Sequence, residues 1–482
     1  SFTQKVEDLE MKTSKASKQC QARINDVEPT EERISGRGGL SLFVHYLEQT
    51  GLLAHLESLF GRVRKSKKGL PVAELLKQIL CFFVDGTSMR LEYFDSLTKD
   101  PGYAGTIQTK PEAMASSHAV KRFMKAFPLS LTWLFRSVLL ELFLWRLRLN
   151  RPEEIELGID LVIMDNDDAE QREGVRPTYK KVKGFGALNM TWGNMVVDSV
   201  LRSGDKHSNH GSSVSRMVKR VVKKIRNGYR ADVPIIFRLD SGFLDQRLLA
   251  EFERLQVGYT VSGKLYQDIT RLMERTPQRH WQYYFASAEE EDGRVWEYCE
   301  FGDRRGTWDT FRRAIFTRPM CNEAGKVYLP TSRPCQMIYT NLGIGGEVDR
   351  QLKEAGQGHL TTAHGVIGLH HRRGEDELAF RSVKDFGGEI LPFKGFTPNA
   401  VYYYCMLLAY FLFGCFKQDV CHDVIPEGAY PTTVRRKVID IAAKVVRHAH
   451  SVVLKVSQAV WRRLDFGVLW SRCRAAPRID FV

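Results

Sequence analysis

Three textures succeed one another along the chain. From Gly36 to about Asn150, apolar residues recur at three- and four-residue spacing, as in LSLFVHYLEQTGLLAHLESLF, PVAELLKQILCFFVDG and SSHAVKRFMKAF, which predicts short amphipathic helices. Near Glu153 the pattern changes. IELGIDLVIM (155–164) is a continuous apolar run broken once, by Asp160, and VPIIFRLDSGF (233–243) is a second apolar run that ends in Asp240 and a Ser-Gly turn. FGALNMTWG, NMVVDSVLRSG and VGYTVSG read as further strands, and SVSRMVKRVVKKIRNGY and LDQRLLAEFERL as amphipathic helices. Strands interleaved with helices predict a mixed α/β sheet. From about Lys264 to Tyr339, HWQYYFASA, RVWEYCEFG, FRRAIFTRP and KVYLP form a β-rich insertion, after which the chain turns helical.

The predicted organisation is α/β and multidomain. It has a polar, flexible segment (1–35), a helical region (36–150), and a mixed-sheet core in two parts (151–264 and 340–420). A β-rich insertion (265–339) interrupts the core, and a basic helical region (421–482) follows it. VRRKVIDIAAKVVRHAHSVVLKVSQAVWRRL (434–464) is predicted as one helix, apolar on one side and cationic on the other.

Two apolar stretches pose a membrane question. LTWLFRSVLLELFLWRLRL (131–149) carries Arg136, Glu141, Arg146 and Arg148, which lipid tolerates poorly. VYYYCMLLAYFLFGCF (401–416) is shorter than the roughly 20 residues a span needs. Both predict core helices rather than spans. No secretory leader pattern is visible, and the nine scattered cysteines, without a C-x-x-C pair, read as reduced thiols. A cytoplasmic protein is expected.

Charge narrows the partner. The chain carries 71 Lys+Arg against 57 Asp+Glu, a net +14. Such a balance favours a polyanion, with nucleic acid the commonest. Five cations, Arg62, Arg64, Lys65, Lys67 and Lys68, fall in one predicted loop. Residues 431–482 hold 11 Lys+Arg, among them Arg435, Arg436 and Arg447, against three Asp. Either cluster suits contact with DNA phosphates or a merely solvated surface.

The chemistry centres on acids. A carboxylate within an apolar strand needs compensation, by a bound cation or by structural hydrogen bonds. Asp160 and Asp240 on neighbouring strands would make an oxygen site suited to Mg²⁺ or Mn²⁺. In HHRRGEDELAFRSVKDF (370–386), Arg373, Glu377 and Lys384 fall at about 0°, 40° and 20° on a helical wheel, with His370 about 60° away. One helix face would present imidazole, guanidinium, carboxylate and ammonium. Taken alone, the spacing is read more readily as a surface Arg–Glu pair.

These motifs together resemble the DDE transposases of bacterial insertion sequences. The relevant group has a Y-x-x-R-x-x-x-E-x(6)-K signature around its third acid. Here it reads His370-x-x-Arg373-x-x-x-Glu377-x(6)-Lys384, with His in place of Tyr. Arg238-Leu239-Asp240-Ser241-Gly242 matches the second-acid motif. Ile159-Asp160, followed by Glu173-Gly174-Val175-Arg176-Pro177-Thr178-Tyr179-Lys180, matches the first, although Asp165, Asp167 and Asp168 lie nearby. Lys206-His207-Ser208-Asn209-His210-Gly211 resembles the turn after the third strand.

The resemblance implies a ribonuclease-H-like core with a β-rich insertion, flanked by helical DNA-binding regions. It implies that Asp160, Asp240 and Glu377 hold two Mg²⁺ ions, with Mn²⁺ able to substitute, and that the protein cuts and joins double-stranded DNA as a homodimer on paired element ends. His370, Arg373, Lys384, Arg238, Lys264 and His207 are candidate DNA contacts, and Trp192, Trp296 and Trp308 candidate stacking residues for a flipped base. Two alternatives stay open: a nuclease on the same fold, and a catalytically silent relative acting as a repressor or structural factor.

Overall fold

The computed structural model of the chain describes residues 24, 26–64, 69–169, 171–286, 295–321, 326–328, 334–449 and 451–481. Residues 1–23 and the cations Lys65, Lys67 and Lys68 lie outside the described residues.

The N-terminal third is helical as its periodicity predicts: α1 (Leu40–Gln49), α2 (Leu52–Phe60), α3 (Val72–Asp85) and the long α4 (Thr132–Asn150), with shorter turns between. Before them, β1 (Ile34–Ser35) is a two-residue strand. The mixed region follows: β2 (Ile155–Asp165), β3 (Arg176–Pro177), β4 (Lys183–Trp192), β5 (Met195–Ser203), α5 (Ser213–Gly228), β6 (Ile235–Leu239), α6 (Gln246–Arg254) and β7 (Gly258–Gly263). Then come β8 (Gln282–Phe285), β9 (Val295–Asp303), β10 (Arg312–Pro319) and β11 (Gln336–Thr340). The chain returns through α7 (Ala363–His371), α8 (Arg373–Gly387) and α9 (Phe396–Val420), then β12 (Ala443–Arg447), β13 (Val452–Val456) and α10 (Gln458–Leu464).

One sheet runs β3-β4-β2-β6-β7-β11-β10-β9-β8, with β5 on β4. Within it β5, β4 and β2 pair antiparallel, while β2, β6 and β7 pair parallel. The parallel strands are buried on both faces, which explains their near-continuous apolar character. The β-rich insertion extends this sheet, because β11 pairs antiparallel with β7.

Helix α9 is the hub between the sheet and the helical layer. Its 25 residues are apolar enough to cross a bilayer, yet they are almost wholly buried inside the protein. Phe83 of α3 meets Tyr402, Phe43 of α1 meets Phe416, and the Tyr403 hydroxyl donates to Asn189 of β4 at 2.9 Å. The arginines of α4 are accommodated by ion pairing: Arg136 with Asp198 at 2.7 Å, and Arg146 with Asp419 at 2.7 Å. Six of the eight described cysteines are buried.

The C-terminal region departs from the sequence expectation. Residues 434–464 do not form one helix. They form a short π-helical turn (Arg435–Ile439), the hairpin β12–β13 and then α10. The hairpin joins β1 in a separate three-stranded sheet. Its segments, AKVVR and VVLKV, are rich in β-branched valine, which fits a pleated, half-buried surface better than a helix.

Candidate active site

The parallel register pairs Ile159 of β2 with Leu239 of β6. The next residue on each strand is therefore Asp160 and Asp240, side by side at the point where β6 ends and β2 continues. Burial first, and then the neighbouring Asp240 carboxylate, push the Asp160 carboxyl up to about 6. Burial likewise raises Asp240, while the Gly242 amide, which donates to its Oδ1 at 2.8 Å, and Arg373 oppose the rise. The Leu161 amide donates to Asp160 Oδ1 at 2.7 Å. Two half-buried carboxylates that repel one another are an electrostatic arrangement that a cation would relieve.

Several predicted neighbours converge on this pair. Arg373, at the start of α8, lies close enough to lower both carboxyl groups. The turn carrying His207 packs beside Asp240: a methyl at Gly242 would fall 2.7 Å from Ser208 Oγ and 3.0 Å from Asp240 Oδ1. His207 itself is exposed, edge-on to His210. The motif that follows the first acid brings Tyr179 to the site as well. Its largely exposed phenol stands near both acids, and burial, Asp160 and Asp240 together raise it to about 12.

Glu377 lies on the exposed side of α8. Among the described residues, no three His, Cys, Asp or Glu side chains stand close enough together to hold a metal ion. Two of the three predicted acids are thus brought together, and the third, on α8, is not within ligating distance of them. What fastens that helix is Asp376, which the sequence reading passed over. Its carboxylate is buried, accepting from Thr191 Oγ1 at 2.8 Å and from Arg238 Nη2 at 3.1 Å. It sits directly over Gly158, where a Cβ would lie 2.4 Å from the carboxyl carbon. Asp160, two residues on, shares that face of the strand.

Some predicted contacts are placed otherwise. Arg238 is buried and ion-paired with Glu156 at 2.8 Å and with Asp376, so it is a core residue rather than a surface DNA contact. His370 is not on the stripe of α8, because α7 ends at His371 and α8 begins after Arg372. Its imidazole is buried, hydrogen-bonded through Nε2 to Ser262 Oγ at 3.0 Å, and burial with Arg373 nearby pulls it down to about 3. Arg435 is likewise buried, donating to the carbonyls of Phe83, Val84 and Phe386. Lys384 pairs with Glu389 at 2.7 Å. Lys264, Arg62, Arg436 and Arg447 are exposed, and Arg64 is half-buried, donating to the Leu70 carbonyl. Asp165 accepts from the Asp167 amide, and Asp167 from the Lys183 amide at the start of β4.

A cleft of about 450 Å³, lined by Ser262, Gly263, Trp296, His370, His371 and Arg373, shares Arg373 with the surroundings of the Asp pair. Of the three candidate tryptophans, Trp296 borders this cleft. Trp192 packs on Phe143, and Trp308 lies between Tyr339 and Arg312.

No curated protein matches the chain. A solved structure, the cryo-EM structure of a piggyBac transposase synaptic complex with hairpin DNA, is similar over 85% of this chain and 83% of that one, with 10% identity and a TM-score of 0.38. The family model described as "Transposase DDE domain group 1" matches residues 18–475, nearly the whole length. The chain belongs to that family of DDE transposases.

Proposed function

We propose that the chain is the transposase of an insertion sequence, cutting the element's ends by hydrolysis and joining them to target DNA. The observation that carries this reading is the strand register that sets Asp160 beside Asp240. The strand order, three antiparallel strands followed by two parallel ones, supports a ribonuclease-H-like core, with the helical N-terminal layer as a DNA-binding flank.

The donor set suits a hard divalent cation such as Mg²⁺, because it is all oxygen and its like charges repel. Asp160 and Asp240 would hold it, with Glu377 joining them only if α8 moves toward the pair, and when bound it would polarise the attacked phosphate and ease loss of the leaving oxygen. The chain's own residues do the rest. Arg373 faces the acids from α8 and offers a guanidinium fork to phosphate oxygens. Lys384, further along α8, exchanges its contact with Glu389 for the DNA backbone. Trp296 offers its ring at the cleft edge to a base turned out of the duplex.

In the first step a water oxygen bonds to phosphorus as the P–O3′ bond breaks, freeing a 3′-hydroxyl and leaving a 5′-phosphate. That hydroxyl then attacks a second phosphodiester. On the opposite strand it forms a hairpin as the flanking DNA leaves with its own 3′-hydroxyl; a second water then breaks the hairpin's phosphodiester and restores the end's 3′-hydroxyl, which attacks target DNA and displaces a target 3′-hydroxyl. Two subunits, each holding one end, act on paired ends in the cytoplasm.

A silent relative that only binds DNA is the second reading, favoured by the exposed place of Glu377 outside ligating reach of the pair. One experiment separates the two. A labelled duplex carrying the element's own ends is incubated with Mg²⁺ and either wild type or Glu377→Gln. Nicking and joining by wild type alone, with equal binding by both, supports the transposase. Equal binding with no cutting by either, even with Mn²⁺, supports the silent relative.

A further inference from the structure

The hairpin β12–β13 has a seated face and a bare one. Ala443 and Val445 are buried against the helical body, where a methyl at Gly105 would meet Val445 at 3.0 Å. The opposite face carries Lys444, Val446, Val453 and Lys455, with Ile34 of β1 alongside. Toward the tip both faces emerge: Arg447, His448 and Val452 are exposed, Val452 by 61%. Strand β13 is the edge of its sheet.

Charge on this ribbon has one sign. Residues 441–464 contain five Lys/Arg and no Asp or Glu. The register sets Lys444 directly opposite Lys455, an arrangement that is unfavourable without a neutralising anion. Glu32 answers Lys444. Among the described residues no carboxylate pairs with Arg447, Lys455, Arg462 or Arg463. A lysine on an edge strand also discourages addition of another strand, which argues against a second copy as occupant.

We infer that this hairpin is a two-stranded ribbon that enters the major groove of the element's end DNA, an inference that rests on the transposase reading. Its dimensions fit: each strand is about 17 Å long and the two lie about 5 Å apart, within a groove about 12 Å wide. The Val446–Val453 pair faces the base edges, where apolar side chains recognise thymine methyl groups, and Arg447 and Lys455 meet the flanking phosphates. A contact with arbitrary target DNA would need the cations but not the valines, so the end sequence is the occupant.

The test uses the full chain and two labelled duplexes, one carrying the element's end and one a shuffled sequence, read by fluorescence anisotropy at several salt concentrations. Val446→Ser/Val453→Ser should reduce the preference for the end about tenfold. Arg447→Gln/Lys455→Gln, surface changes that leave the hairpin core intact, should weaken binding to both duplexes and lower the salt slope by about 2. Thermal unfolding checks that each variant is folded.

Unchanged preference and slope in folded variants, while wild type prefers and nicks its ends with Mg²⁺, overturn the ribbon alone. Equal loss on both duplexes from the serine variant makes the face a non-specific phosphate surface and overturns it too. A DNA-free dimer that the serine variant converts to monomer in gel filtration reassigns the face to a second copy. Wild type with no preference for its ends overturns both the ribbon and the transposase reading.

Discussion

Arg238 and Asp376 form a buried ion pair, Nη2 to Oδ1 at 3.1 Å, between the strand that ends in Asp240 and the helix that carries Glu377. Each partner stands within two residues of a candidate catalytic acid, so the pair fastens the two halves of the site to one another. Asp376→Ala leaves the guanidinium buried with only Glu156 as its carboxylate partner. Loss of one member of a buried pair costs about 3–5 kcal/mol. Urea unfolding should show that loss, and an unchanged midpoint would remove the pair from the account of the site.

Gly158 makes room for that carboxylate. An added Cβ would sit 2.4 Å from the Asp376 carboxyl carbon, which Arg238 and Thr191 hold in place. Gly158→Ala should therefore destabilise the protein by about 1–3 kcal/mol through overpacking. It should also reduce end cleavage, because α8 must move away from β2. Stability and cleavage equal to wild type would contradict this packing.

Neighbouring arginines at 435 and 436 should behave oppositely. Arg435 donates to Phe83 at 2.7 Å, Val84 at 3.0 Å and Phe386 at 2.7 Å, capping the last carbonyls of α3 and α8. It lies under Gly86, whose φ of +65° and missing Cβ admit the guanidinium. Arg435→Ala should cost about 3 kcal/mol or more, since several buried carbonyls lose their donor. Arg436→Ala should change stability by less than about 0.5 kcal/mol while lowering the salt slope of DNA binding by about 1. Parallel denaturation and anisotropy on the two variants check the contrast.

His370 should make the fold acid-sensitive. Ser262 of β7, Arg238 of β6, His371 of α7 and Arg373 of α8 surround its ring, and burial and the cations hold it down to about 3, against 6.5 for an ordinary histidine. Between those values the unfolded chain binds a proton that the folded chain does not. The stabilisation is complete above about pH 6.5 and is lost as pH falls toward 3, by at most about 1.4 kcal/mol per pH unit. His370→Gln, which can still bond Ser262, should flatten that limb of the stability–pH curve. An identical slope in the two proteins would exclude His370 as its source.

Local pattern alone determined the helical N-terminal layer, the strands that end near Asp160 and Asp240, and the buried character of α9. Each of these is written in a continuous run whose period or apolar density is local. The acids were legible for the same reason: a lone carboxylate in an apolar strand is visible without knowing its neighbours. Tertiary structure decided the rest. Arg238 reads as an ordinary cation until Asp376, 138 positions away, is found to bury it. Arg435 reads as part of a basic surface until three carbonyls from two other helices close around it.

The C-terminal hairpin was hidden because valines interspersed with cations suit either a helix or a strand over so short a span. The choice was made by β1, whose pairing Ile34↔Lys444 joins opposite ends of the chain. The sequence states which residues are apolar and which are charged. Which charge meets which is set by contacts hundreds of residues apart, because a buried ion pair or a strand partner gains its free energy only once the whole core has excluded water around it.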